Sequence, residues 1–330
     1  MIKAAVIGVG SMGRNHARIY DELEEVSLLA VCDEDAEQAS RVAARYRADH
    51  YSDHMDMLDQ EKPDLVSVVV PTELHHQVAL DVIERGKHLL VEKPLADTVS
   101  HAKEIIQRAH DRGVLLMVGH VERFNPAVSE LRSRLEDGQL GKMFQIHARR
   151  LGPFPHRVRD VGVVIDLATH DLDVMCHLTG ADVVRVYAET EQEIHTDHED
   201  SLSGLLRFDN GVVGVLDVNW LTPTKVRELY VTGERGMFVV NYLTQDLYLY
   251  ENEHVKGDWD RLGMLKGVGE GNMIKLRIAK KEPLYVELES FVGCVRQGSE
   301  PPVTGDDGVR ALALARAMVQ SGREHKTVEF

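Results

Sequence analysis

Residues 4–13 read Ala-Ala-Val-Ile-Gly-Val-Gly-Ser-Met-Gly, and this stretch decides the fold of the first part of the chain. A short apolar run, Ala4–Ile7, leads directly into a Gly-x-Gly-x-x-Gly motif, and a helical pattern follows. In such a strand–turn–helix unit, Gly8 permits the tight turn, Gly10 lets the backbone approach a pyrophosphate, and Gly13 permits close helix–strand packing. The motif therefore predicts a dinucleotide-binding domain.

The start of the first helix and the end of the second strand complete this predicted site. Ser11 and Met12 lie at the helix N-terminus, where free amides and the positive dipole end favour phosphates. Asp33 ends the second apolar run, twenty residues after the third glycine, where an acid hydrogen-bonds the adenosine ribose. The next two residues are also acidic and offer no charge for a 2′-phosphate, so NAD is favoured over NADP. The alternative is a glycine turn followed by an acidic helix start.

Composition narrows the class of protein. The 330 residues include 38 Lys and Arg against 54 Asp and Glu, a net charge of −16, with 43% hydrophobic residues. These values are typical of globular proteins, and the length predicts two domains. The acidic balance argues against a nucleic-acid or anionic membrane partner, but it leaves room for a locally basic site that binds a small anion.

The cysteines and the N-terminal residues indicate the cellular compartment of the protein. Cys32, Cys176 and Cys294 are too far apart for a disulfide framework or a Cys-x-x-Cys zinc pair, and they favour a reducing compartment. The N-terminus does not resemble a signal peptide, and no apolar run reaches membrane-helix length. We therefore expect a cytoplasmic protein. The histidines lack partners at metal-ligand spacing, so no metal site is predicted.

The hydrophobic pattern changes near residue 120. Before it, short apolar runs alternate with helical patterns, which predicts an α/β fold with a parallel sheet, a Rossmann domain over residues 1–122. After it, strands follow one another from Lys142, and Asp209-Asn210-Gly211 predicts a hairpin. Helices are predicted at about 163–178, 283–297 and 308–321, and residues 251–281 are expected to be irregular. The prediction for 123–330 is an α+β domain with a large, open, mainly antiparallel sheet, for substrate binding and oligomerisation.

Polar residues follow two predicted strands of the parallel sheet. Glu92-Lys93-Pro94 comes after one strand, and Pro71-Thr72 with His75 comes after its predecessor. Both groups should lie at the carboxyl edge, where α/β sheets bind ligands. The alternatives are a surface turn for the first group and a helix start capped by Thr72 for the second.

A second cluster is predicted on the helix near residue 163. Asp166 and His170 are four residues apart, so they share a helix face and can point into one cleft. The alternative is an acidic helix start with a packed histidine.

These motifs together resemble the glucose–fructose oxidoreductase, inositol dehydrogenase and MocA family, over nearly the whole chain. The resemblance implies hydride transfer between NAD and a sugar or cyclitol hydroxyl. It implies that Lys93 touches the reacting oxygen, that His170 is the general base, and that Asp166 assists it. Cofactor contacts would come from the glycine loop, Asp33 and the edge residues Pro71, Thr72, His75, Glu92 and Lys93.

Two stretches are similar to the branch of UDP-N-acetylglucosamine 3-dehydrogenases. The first is residues 120–126, His-Val-Glu-Arg-Phe-Asn-Pro. The second is residues 149–166, which lead into the helix predicted near residue 163. Val121 departs from the family, which has an asparagine there. The second stretch supplies a basic patch that suits a diphosphate, with Arg149, His156, Arg157 and Arg159 as predicted substrate ligands beside Asp166 and His170. The alternative is that these arginines pair with surface acids.

The resemblance thus implies an NAD-dependent dehydrogenase that oxidises a UDP-N-acetylhexosamine at C3. Two alternatives stay open: a dehydrogenase of a free sugar or cyclitol, and a non-catalytic NAD-sensing regulator. A homodimer or homotetramer is expected, because one face of the antiparallel sheet would expose Val213, Val215 and Tyr230 or their alternates.

Overall fold

The computed structural model describes residues 1–155, 161–194, 197–252 and 270–330. The chain forms two compact units. The first contains Met1–Val121 and Glu282–Ala313, and the second contains Glu122–Lys281 and Leu314–Phe330. The sequence predicted a division at residue 122. It did not predict that residues 282–313 belong to the first unit.

The first unit contains a six-stranded sheet in the order β3-β2-β1-β4-β5-β6, with every neighbouring pair parallel. This is the strand order of a Rossmann domain, as the alternating pattern predicted. Its elements are β1 Ile2–Ile7, α1 Gly13–Glu22, β2 Val26–Cys32, α2 Ala36–Tyr46, β3 Asp49–Tyr51, α3 His54–Glu61, β4 Leu65–Val68, α4 Thr72–Glu84, β5 His88–Glu92, α5 Val99–Arg112 and β6 Leu116–Gly119.

Local sequence signals account for several helix boundaries of this unit. Asp35 accepts a hydrogen bond from the Gln38 amide at 3.0 Å and caps α2. Thr98 caps α5 through the His101 amide at 3.1 Å. Strands β1, β4, β5 and β6 are mainly apolar and buried at their centres because helices cover both faces of a parallel sheet, whereas the short strand β3 is polar and exposed at its start.

The C-terminal helices are α8, Pro283–Gln297, and α9, Gly305–Glu324. Helix α8 has the predicted limits and packs against α1. Arg18 of α1 bonds to Glu282 at 2.5 Å, next to the start of α8. The sequence showed the helix but not its packing partner, because a helical period does not specify which neighbour the apolar face meets.

The second unit contains a nine-stranded sheet in the order β14-β13-β12-β11-β7-β10-β9-β8-β15. Its pairs are antiparallel except β7 with β10. Its elements are α6 Pro126–Glu136, β7 Met143–Pro153, α7 Thr169–Thr179, β8 Val183–Glu191, β9 Ser201–Phe208, β10 Val213–Asn219, β11 Leu221–Gly233, β12 Gly236–Asn241, β13 Asp246–Asn252, β14 Glu270–Leu276 and β15 Val328–Glu329. The prediction of a mainly antiparallel second sheet is confirmed, but the irregular assignment was wrong for β14.

The two faces of this sheet differ. On the side we call the covered side, residues such as Leu216 and Leu229 are buried by α6, α7 and the end of α9. On the opposite, open side, Val213, Val215 and Tyr230 are partly exposed, and Leu205 is 51% exposed. Strand alternation explains the difference, because successive side chains point to opposite faces.

No helix in the described ranges is both long and apolar enough to cross a membrane.

Candidate active site

The glycine loop of the first unit has the geometry that its motif predicted. Gly8 has φ of +85°, and a Cβ on it would lie 2.5 Å from the Val69 carbonyl oxygen. A Cβ on Gly13 would lie 1.8 Å from the Gly8 carbonyl oxygen, so α1 starts against the turn. By contrast, no atom of the described residues beyond its chain neighbours lies within 4 Å of a Cβ on Gly10. Two glycines are therefore required by the fold, and Gly10 leaves the open space that a pyrophosphate needs.

Ser11 and Met12 are exposed at the N-terminus of α1, as expected. The Arg14 amide and Nε both donate to the Gly10 carbonyl, at 3.2 and 3.1 Å. This holds a guanidinium beside the glycine loop. The sequence reasoning missed Arg14, although its position one residue after the motif was visible.

Asp33 connects the second strand to the glycine loop. Its Oδ2 accepts from the Val9 amide at 2.8 Å and from the Gln38 side chain at 3.0 Å, and its Oδ1 accepts from the Asp35 amide at 3.0 Å. The acid that is predicted to bind the ribose also shapes the loop that is predicted to bind the pyrophosphate.

The residues predicted at the carboxyl edge have different environments. Pro71 precedes α4, which begins at Thr72 without a side-chain cap. His75 is buried, with Nδ1 2.8 Å from the Pro94 carbonyl and Nε2 2.9 Å from the Val70 carbonyl. Burial lowers the pKa of His75 against the raising effect of these carbonyls. His75 thus joins the loop after β4 to the loop after β5. The sequence predicted a direct contact with the cofactor and did not predict this positioning role.

Glu92 is also buried, so the alternative of an exposed surface turn does not hold for this residue. It is 7% exposed, and its oxygens meet His16 Nε2 at 3.1 Å and the Lys93 amide at 3.2 Å. Lys93 is partly exposed, and its peptide bond to Pro94 is cis. Of the Glu-Lys pair, Lys93 is therefore the residue more accessible to a ligand, and Glu92 lies behind it.

In the second unit, Asp166 and His170 lie where an irregular turn joins a regular helix. Val164–Ala168 form one π-helical turn that continues into α7. The Thr169 hydroxyl donates to the Ile165 carbonyl at 2.9 Å. Both predicted catalytic side chains are half-buried. Turns of this kind are frequent at functional sites, but the α-helical period cannot reveal them.

Two buried arginines hold α7 in place. Arg150 of β7 donates to both Asp171 oxygens, at 2.6 and 3.0 Å, and to Glu122 at 3.0 Å. Arg123 binds Asp173 through both oxygens, with Nε at 2.7 Å. Burial alone would lower the pKa of Arg150, but the Asp171 and Glu122 carboxylates outweigh it and raise the pKa. These pairs fix α7, which carries His170 and directly follows the π-helical turn with Asp166.

Arg227 of β11 is a candidate site residue that the sequence reasoning missed. It lies directly opposite Arg150 in the strand pairing and on the covered side of the sheet. Its Nη1 donates to the carbonyls of Leu151 at 2.5 Å and Val226 at 2.8 Å. Burial and then the Arg150 charge lower the pKa of Arg227 to about 10, against the acids Asp171, Glu122 and Asp166. Arg227 precedes the apolar Leu229 and Val231 at two-residue spacing, and this strand alternation could have placed it on their buried face.

The predicted substrate arginines are not all on this side. Arg149 is on the open side, 3.6 Å from Asp217 and 3.9 Å from Glu228. Strand alternation separates it from Arg150, which is buried against α7. His156, Arg157 and Arg159 lie outside the described residues. Asn125, near the departing Val121, caps α6 and donates to the Tyr242 carbonyl at 3.1 Å.

Comparison with known proteins agrees with this geometry. Residues 2–120 match the family model described as the oxidoreductase family, NAD-binding Rossmann fold, and residues 128–239 match the GFO/IDH/MocA C-terminal domain. The chain is 32% identical over 314 residues to UDP-N-acetylglucosamine 3-dehydrogenase of Acidithiobacillus ferrooxidans, covering 95% of each chain. A solved structure of that enzyme superposes with a TM-score of 0.86 at 30% identity, covering 97% of each chain.

A second relative has a different named substrate. The NAD-dependent scyllo-inositol 2-dehydrogenase of Bacillus subtilis is 25% identical, covering 100% of this chain and 96% of its own. The open Gly10 and the acid at the end of β2 fit the NAD that the family model describes. The chain therefore belongs to the Gfo/Idh/MocA oxidoreductase family and is an NAD-dependent dehydrogenase with a Rossmann domain.

Proposed function

We propose that this enzyme oxidises the C3 hydroxyl of a UDP-N-acetylhexosamine, most simply UDP-N-acetylglucosamine, to a ketone. The observation that carries the proposal is the 32% identity to a UDP-N-acetylglucosamine 3-dehydrogenase across 95% of both chains. A match of that extent includes both units and the helix with Asp166 and His170.

NAD would be held by the amides of the glycine loop and by Asp33, with Pro71, Thr72 and Lys93 at the carboxyl edge as further predicted contacts. When bound, it supplies the acceptor for a hydride. Gly10 supports this assignment because its surroundings are open, and Asp33 supports it because its carboxylate is already oriented by the Val9 amide.

The proposed chemistry removes a proton and a hydride from one secondary alcohol. His170 takes the hydroxyl proton, and C3 gives up its hydrogen as a hydride, for which bound NAD would be the acceptor; the alcohol becomes a ketone and one proton is released. Asp166 orients His170, and the Lys93 ammonium stabilises the negative charge that develops on the oxygen. The half-buried positions of Asp166 and His170 support these roles, because partial burial strengthens electrostatic interactions.

An anionic substrate group needs a cation, and Arg227 suits this role. Its Nη1 is fixed by two backbone carbonyls, whereas Nε and Nη2 make no hydrogen bond among the described residues. With a pKa of about 10 it is positively charged at neutral pH. A fixed guanidinium with available donors favours bidentate contact with a phosphate. His156, Arg157 and Arg159 remain predicted ligands of the same group.

The competing function is oxidation of a free sugar or cyclitol, which the relationship to scyllo-inositol 2-dehydrogenase supports. The experiment is a spectrophotometric screen of NAD reduction with UDP-N-acetylglucosamine, other UDP-sugars, N-acetylglucosamine and inositols. Our proposal requires kcat/KM for UDP-N-acetylglucosamine to exceed that of every free sugar. A higher value for a cyclitol would favour the alternative, and NAD binding without reduction of NAD by any candidate would favour a sensing protein.

Assembly and location are further parts of the proposal. We infer a homodimer or homotetramer formed through the open side of the nine-stranded sheet, because Leu205 and Val213 are accessible there.

A cytoplasmic location is supported by three separate free cysteines, all buried. Light scattering at micromolar concentration tests the first statement, and cell fractionation tests the second.

A further inference from the structure

Glu92 is enclosed by residues of the first unit. It ends β5 opposite Gly119 of β6. A Cβ on Gly119 would lie 3.0 Å from the Glu92 carboxyl carbon, so the glycine makes room for the carboxylate. His16 of α1 lies 3.1 Å from Oε1, and the Lys93 amide lies 3.2 Å from Oε2. The carboxylate therefore has a fixed orientation directly behind Lys93.

A row of buried hydroxyl groups continues from His16 into the interior. His16 Nδ1 lies 3.0 Å from the Ser67 hydroxyl, which lies 2.7 Å from the Tyr20 hydroxyl. The three side chains are 0% exposed. Burial raises the pKa of Tyr20, so its hydroxyl stays protonated and can donate to Ser67.

The direction of each hydrogen bond in this row follows from the Tyr20 hydroxyl at its inner end. If Tyr20 donates to Ser67, Ser67 donates to His16 Nδ1, and the proton of a neutral His16 must be on Nε2. His16 then donates to Glu92, which must accept as a carboxylate. Burial would raise the pKa of Glu92, but the hydrogen bond from His16, the charge of Lys93 and the Lys93 amide outweigh it and lower the pKa.

The charged and titratable groups around Glu92 come from three elements. His16 is on α1, His75 is on α4, and Lys93 follows β5. Burial lowers the pKa of His75, against the Pro94 and Val70 carbonyls, which raise it. Among these groups Glu92 is the acid, and the charge of Lys93 is one of the causes that lower its pKa. A buried polar row of this kind has a desolvation cost that apolar side chains would avoid, which points to a use beyond packing.

We propose that Glu92 is a positioning residue for Lys93, and that the row Tyr20–Ser67–His16 holds the Glu92 carboxylate against the Lys93 amide so that this carboxylate orients Lys93. This rests on the proposed function in one respect, the role of Lys93 as the oxyanion-stabilising group. The geometric part, the effect of Glu92 on the Lys93 amine, can be measured without substrate.

The test is the pH dependence of Lys93 acetylation by acetic anhydride in the NAD-free protein, measured by mass spectrometry of the Lys93 peptide. Lys103, exposed on α5, is the internal standard. Glu92→Gln keeps the shape but removes the charge, so the labelling midpoint of Lys93 should fall by about one pH unit relative to wild type. The matched control is Glu37→Gln, an exposed carboxylate on α2, which should leave the midpoint unchanged.

An unchanged Lys93 midpoint in a folded Glu92→Gln protein would overturn the proposal. If Glu92→Gln does not fold, Ser67→Ala decides, because it removes the donor that fixes His16 and should lower the midpoint in the same direction; no shift there also overturns it. Turnover is measured separately with UDP-N-acetylglucosamine. Absence of wild-type turnover would reject the proposed function while the labelling result still reports on Glu92.

Discussion

The backbone amide of Val9 donates to Asp33 Oδ2 at 2.8 Å, which links the glycine loop after β1 to the end of β2. The acid therefore has two tasks, since the carboxylate that is expected to meet the adenosine ribose also supports the backbone that is expected to meet the pyrophosphate. We therefore expect a substitution at Asp33 to change cofactor preference and loop geometry together.

Cofactor preference provides the first prediction. Asp33→Ser combined with Glu34→Arg should raise the ratio of kcat/KM for NADP to that for NAD, because a carboxylate repels the 2′-phosphate and an arginine attracts it. The variant should also lose about 1 kcal/mol of stability, because a serine at this position is too short to accept from the Val9 amide as the aspartate does. Steady-state kinetics with both cofactors and a urea titration measure the two effects. A wild-type enzyme that already prefers NADP would contradict the cofactor assignment.

The second prediction separates two glycines of the same motif. Gly13→Ala places a Cβ 1.8 Å from the Gly8 carbonyl oxygen, so it should cost about 3 kcal/mol of stability or more. Gly10→Ala meets open space and should change stability by about 0.5 kcal/mol or less, while NAD affinity falls about tenfold or more. Thermal unfolding and a fluorescence titration with NADH distinguish them. Equal stability losses would mean that Gly10 is also a packing position.

The buried ion pairs of the second unit lead to the third prediction. Arg150→Met should destabilise the protein by about 3–5 kcal/mol, because Asp171 and Glu122 would be left buried without their partner. Arg149→Met, one residue earlier on the open side, should cost less than about 1 kcal/mol, because its ion pairs are long and partly exposed. Urea unfolding of both variants is the measurement. Similar losses of unfolding free energy in the two variants would show that the side of the sheet on which the arginine lies does not determine the loss.

These arginines also show what the sequence could and could not predict. Periodicity identified the parallel sheet, the hairpin and the limits of α8, because those follow from local spacing. It could not assign α8 to the first unit, detect β14 within a charged stretch, or show that Arg227 lies opposite Arg150. Strand pairing and helix packing join residues far apart in the chain, and a single sequence carries little record of those contacts.

The fourth prediction concerns the proposed base. His170→Ala should lower kcat about 100-fold or more while NADH binding is retained, since the glycine loop and Asp33 are unchanged. Activity should recover in part at high pH, where hydroxide can replace the lost base. His110→Ala, an exposed histidine of α5, is the control and should have wild-type kinetics. A loss of less than about threefold would assign the proton transfer to another group.

The last prediction tests Arg227 as the anion contact. Arg227→Met keeps most of the length of the side chain and removes the guanidinium, so KM for a UDP-sugar should rise about 10- to 100-fold. KM for a free sugar should change little, because a free sugar has no diphosphate to lose the contact. The effect should appear in KM rather than kcat, since a contact remote from the reacting carbon stabilises ground and transition states equally. Arg207→Met, on β9, is the control for removal of one positive charge from the same sheet. Equal effects of Arg227→Met on both substrate types would reject the diphosphate assignment and favour the free-sugar dehydrogenase.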